Sequence, residues 1–71
     1  MPIMLYYLNS EPRGNNYEVH SEECEYLPSS SHREFLGAFY DCQEAVQKAK
    51  NLHPSFKIDG CFFCSRDCHQ F

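Results

Sequence analysis

The chain is short of basic charge, of long apolar runs and of the common catalytic signatures, and each shortage removes a class of function. Six Lys and Arg stand against ten Asp and Glu, a formal net charge of −4. A nucleic-acid binder normally shows a basic patch that displaces counterions from phosphates. Here Lys48, Lys50 and Lys57 come late, while Glu18, Glu22, Glu23 and Glu25 crowd around His20 and Cys24. Nucleic acid is therefore disfavoured as a partner, and a protein partner is favoured. No apolar run approaches the ~20 residues of a membrane span, and no basic amphipathic stretch is present to lie on a bilayer. The opening MPIMLYYLNS has neither a basic leader nor a long apolar core, so it does not read as a signal peptide. The expectation is a cytoplasmic protein with no membrane attachment. A Gly-rich phosphate loop, a nucleophile elbow and an H-E-x-x-H pattern are all missing, so no catalytic set is expected.

What is present is cysteine. The 71 residues include five of them, and the length predicts one domain over residues 1–71; a monomer is the expectation. A domain of this size buries only about 60% of the surface its unfolded chain exposes. Chains so small commonly need a disulfide, a metal or a partner to offset conformational entropy. Thiols stay reduced in the cytoplasm, and an odd number cannot all pair, so both points favour a metal over a disulfide framework.

Patterning predicts an α+β domain: a small antiparallel sheet, one amphipathic helix and a Cys-rich C-terminal knuckle or short helix. IMLYYL, residues 3–8, reads as a strand, and Pro12 and Gly14 suit a type I turn. YEVH, residues 17–20, returns as a strand with Tyr17 and Val19 on one face, Glu18 and His20 on the other; that parity puts His20 off the core. Residues 21–32 read as a loop with an anchor at Tyr26 and Leu27 and a mobile Ser-rich tip. REFLGAFY, residues 33–40, is a strand whose Gly37 marks a bulge or a close backbone approach. Asp41 stands at an N-cap with Glu44 three residues on, opening a helix over 42–53 that Pro54 stops. Its apolar face is Cys42, Ala45, Val46, Ala49 and Leu52. SFKID is a strand or a connector, and Asp59-Gly60 signals a turn into the cysteines. Eleven aromatic residues read as core and interface filler.

Cys61 and Cys64 form C-x2-C behind that glycine, a spacing at which two thiolates converge on one tetrahedral ion. His20 and Cys24 form H-x3-C at a strand end. Together they supply one imidazole and three thiolates, the donor set of a closed structural Zn²⁺ site. Cys68 and His69 are rival ligands, either of which could complete a site with Cys24, Cys61 and Cys64. Cys61, Cys64 and Cys68 also share the i, i+3, i+7 spacing of a terminal helix that would pack its sulfurs into the core. An iron–sulfur cluster wants four thiolates in closely matched runs. Cys42, in the first helical turn, is either a reactive thiol or a buried small hydrophobe. It could also pair with Cys68 under oxidation if the two are adjacent, which the sequence alone leaves open. Thiol redox exchange at Cys61 and Cys64, or an acceptor role for Cys42 or Cys68, is the rival function.

YEVHSEECEYLP, FLGAFYDCQEAVQKAK and DGCFFCSRDCH, taken in order, resemble small bacterial proteins related to the metal-binding domain of the Ada alkylation-repair protein. The resemblance covers about residues 17–69. It implies an Ada-like zinc fold in which His20 and Cys24 match the first ligand pair, and Cys61 and Cys64 the second. The position matching the methyl-accepting cysteine holds His20, and FKIDG replaces a basic Arg-Pro run. The resemblance thus carries over the zinc ligands but not the thiolate nucleophile, and it leaves a DNA-associated accessory role as a further alternative.

Overall fold

The computed structural model describes residues 3–11, 16–61 and 63–69. The turn expected at Pro12 and Gly14 lies outside the described residues. Strand β1 (Met4–Asn9) pairs antiparallel with β2 (Tyr17–Ser21) on one side and with β3 (Arg33–Phe39) on the other. After helix α1 (Cys42–Leu52) the chain adds β4 (Ile58–Gly60) beside β2, giving the order β3-β1-β2-β4. The fold class is α+β, as expected. The sheet is mixed rather than wholly antiparallel, because β4 runs parallel to β2. A parallel neighbour requires a crossover, and α1 supplies it.

Several of these features form for a local reason. The Asp41 side chain accepts from the Glu44 amide at 3.0 Å, satisfying one orphan donor of the first helical turn. At the other end the His53 amide bonds the Ala49 carbonyl, and Pro54 follows. Gly37, at φ +137°, sits at a register shift between β1 and β3: Tyr6 lies opposite Gly37 and Tyr7 opposite Phe35. Leu36 is therefore the extra residue of a β-bulge. The Ser-rich tip forms a 3-10 turn (Ser30–His32), held by Ser29 and Ser31 hydroxyls at 2.9 and 3.0 Å from His32 Nδ1.

The core lies between the sheet and α1. Leu8, Val19, Ala45 and Ala49 are essentially sealed from solvent, with Tyr6, Leu36, Ile58 and Cys42 around them. Leu52 departs from its expected place and is 45% exposed. It lies at the edge of the apolar stripe, and the end of the helix is closed by another device. Tyr17, Phe56 and His53 stack with centroid spacings of 4.0 and 4.4 Å, and His53 Nε2 meets Glu34 Oε1 at 2.6 Å. No helix among the described residues is long and apolar enough to cross a membrane.

Candidate metal centre

Strand β2 places Val19 in the core and turns His20 to the opposite face of the sheet. The parity expected from sequence holds, yet His20 is only 1% exposed. The face is not open: the loop after β2 and the C-terminal segment cover it. The loop doubles back at once, with the Cys24 amide bonding the Ser21 carbonyl at 3.1 Å, and this returns the Cys24 thiol to the imidazole. On the other side, Val19 lies opposite Gly60 in the parallel register, and the Cys61 amide continues the ladder to the Val19 carbonyl at 3.0 Å. One step further along that register sets Cys61 beside His20. The Ser65 amide then bonds the Cys61 carbonyl at 2.8 Å, curling Cys64 back over the same spot.

All four expected ligands are thereby brought together. Cys24 Sγ is 3.5 Å from His20 Nδ1 and 3.8 Å from Cys61 Sγ, and Cys64 Sγ is 3.9 Å from the same ring nitrogen. The four donor atoms lie within 4.8 Å of one another. A tetrahedral Zn²⁺ with Zn–S near 2.3 Å and Zn–N near 2.05 Å has edges of about 3.8 Å between sulfurs and about 3.6 Å from sulfur to nitrogen. Those edges match the separations at Cys24, and Cys64 stands slightly wider from the ring nitrogen, so the donor set is compatible with such an ion. His20 and Cys61 are buried, while Cys24 and Cys64 are half-buried.

The three thiols divide unequally. Burial pushes the Cys24 thiol up, and a hydrogen bond shared with Cys64 adds to it, reaching about 12. Burial also raises Cys61, against the pull of the Cys64 and Phe63 amides. Burial acts on Cys64 in the same direction, but hydrogen bonds from His20, Cys24 and the Ser21 amide outweigh it and bring its thiol down to about 6. One thiolate thus sits among donors, while burial, aided by the nearby Cys64, holds the other two as thiols. A divalent cation bound there would reverse that preference by stabilising all three thiolates.

The rival ligands go elsewhere. Cys68 is disulfide-bonded to Cys42, with Cα atoms 6.3 Å apart, so the adjacency left open by the sequence is realised. The odd count resolves into one disulfide and three free cysteines at the cluster. His69 Nδ1 lies 3.1 Å from the Gly60 carbonyl and 3.0 Å from the buried Asp59 carboxylate. Both of those are acceptors, so Nδ1 carries the proton and donates. The terminal-helix alternative is not realised among the described residues, where a 3-10 turn (Arg66–Cys68) follows Cys64.

Gly60 plays a different part from the turn its sequence suggests. Asp59 and Gly60 end β4, and Gly60 does not have positive φ. A Cβ built on it would lie 2.6 Å from both Cys68 Cβ and the Ser65 carbonyl oxygen, so the residue is needed for close approach. Two further contacts carried no sequence signal. Tyr26 and Phe63 stack at 4.3 Å, joining the loops that supply Cys24 and Cys64, although both rings stay exposed. Asp59 and His69 are paired only because β4 and the last turn are adjacent. Comparison of the chain with known protein families, with curated proteins and with solved structures finds no match.

Proposed function

We propose that His20, Cys24, Cys61 and Cys64 bind one Zn²⁺ in a closed structural site, and that the protein is a small zinc-stabilised interaction module. The observation that carries this reading is the convergence of one imidazole nitrogen and three sulfurs within 4.8 Å, from loops 37 residues apart in sequence at Cys24 and Cys61. Four protein ligands leave no coordination position for substrate, which suits a structural ion. Bound there, Zn²⁺ ties the loop after β2 to the C-terminal segment, and its binding free energy adds to folding free energy. The acidic balance favours a protein partner over nucleic acid. The same reading takes the chain as an Ada-like zinc domain without an alkyl acceptor: His20 occupies the acceptor's position, and Cys42 and Cys68 are joined to each other.

The test is elemental analysis of protein purified without chelator, paired with a count of reactive thiols. One zinc per chain, with three thiols becoming reactive as a chelator removes it and the fold loosening in step, is the expected result. Metal-free protein that takes up no added Zn²⁺ and melts unchanged in a chelator would refute the reading. A reversible disulfide between Cys61 and Cys64 would instead favour thiol exchange.

A further inference from the structure

We propose that the Cys42–Cys68 disulfide is a redox lever on the metal centre, raising its affinity for Zn²⁺ when formed and lowering it when reduced. The inference rests on the zinc reading above and goes beyond it to how the site is controlled. The segment 60–69 carries both features. Cys61 and Cys64 face His20 and Cys24, and four residues beyond Cys64 the chain is bonded to the first residue of α1.

The two ends of that segment are linked by hydrogen bonds and packing. The Ser65 amide bonds the Cys61 carbonyl, the Cys68 amide bonds the Ser65 carbonyl at 2.9 Å, and Ser65 itself is buried. Gly60 lies against Cys68 so closely that no Cβ fits between them, so Cys68 and the strand end that presents Cys61 pack directly on each other. The last turn is only three residues long, and Cys68 is its buried residue. Breaking the cross-link therefore frees the ligand-bearing segment from the helix and returns conformational entropy that metal binding must then remove.

Both cysteines of the disulfide are buried, yet each borders the surface. Cys42 lines a surface depression with Tyr40, Arg66 and Asp67, and Cys68 lines another with Gln43, Gln47 and Lys50. On formation, the two thiols lose two protons and two electrons as their S–S bond forms. A low-molecular-weight disulfide takes these up, its own S–S bond breaking to release two thiols. Coupling between two equilibria is reciprocal, so bound Zn²⁺ must make the disulfide harder to reduce by the same factor.

The test measures affinity for Zn²⁺ alone, by competition with a chromophoric chelator, in three preparations: oxidised wild type, phosphine-reduced wild type, and a Cys42→Ala/Cys68→Ala double variant. The oxidised form is expected to bind at least about tenfold more tightly than the other two. The reduction midpoint of the wild-type disulfide should shift by the equivalent, about 30 mV for two electrons, when Zn²⁺ is added. That second measurement needs no variant, so it stands if the double variant fails to fold. Equal affinities together with an unmoved midpoint overturn the lever and leave the metal centre standing. No Zn²⁺ uptake in any preparation overturns the metal reading, and the lever with it.

Discussion

Loading the cluster with Zn²⁺ at neutral pH should displace about two protons per chain, because metal-bound cysteines are thiolates. The number follows from how the three thiols share their protons. Near pH 7.5, Cys64 is already thiolate, since His20 and Cys24 outweigh the effect of burial and hold it at about 6. Cys24, pushed up to about 12, and Cys61, also raised, still carry theirs. Two displaced protons make the apparent affinity fall roughly 100-fold for each pH unit lowered across pH 7 to 8.5. Calorimetric titration with Zn²⁺ in two buffers of different ionisation enthalpy gives the proton count directly, and competition titrations give the slope. Release of three protons would mean that no thiolate is preformed, and release of none or one would mean that the others are not held as thiols; either result refutes the reasoning. The metal-free protein offers a check of opposite signs. The depressed Cys64 contributes stability present above its unfolded value of 9.0 and lost as pH falls through about 6. The raised Cys24 contributes stability present below 9.0 and lost as pH rises towards 12.

Two substitutions test the framework around the site. Gly60→Ala forces a methyl against Cys68 and a backbone oxygen of Ser65, both at 2.6 Å. It should destabilise by about 1–3 kcal/mol, visible as a lowered melting temperature with weakened Zn²⁺ uptake; a melt matching wild type would show that the last turn yields freely. Leu8→Ala removes a side chain that is 1% exposed at the centre of the sheet's helix-facing side. A loss of about 2–5 kcal/mol is expected in denaturant unfolding, and a loss well below that range would place the core elsewhere.

Much of this protein follows from local rules. The helix start at Asp41, its stop before Pro54, the three long strands and the glycine bulge at Gly37 each depend on a few neighbouring residues, so they are legible in order along the chain. The convergent cluster was legible too, because a metal site draws its donors from a few residue types at short spacings. Within each pair, His20 with Cys24 and Cys61 with Cys64, a tight turn suffices to bring the donors together.

What crosses between elements was decided only by tertiary structure. Asp59-Gly60 has the composition of a turn, but pairing with β2 draws it into a parallel strand, and the glycine is required by the nearness of Cys68. His20 lies on the face expected from its parity and is nonetheless buried, because burial depends on which loops fold over that face. The partner of Cys42 lies 26 residues away, and sequence spacing carries no information about two thiols that meet only once a helix has crossed the sheet. Side-chain type and local periodicity are properties of the chain, whereas proximity across such distances arises from packing.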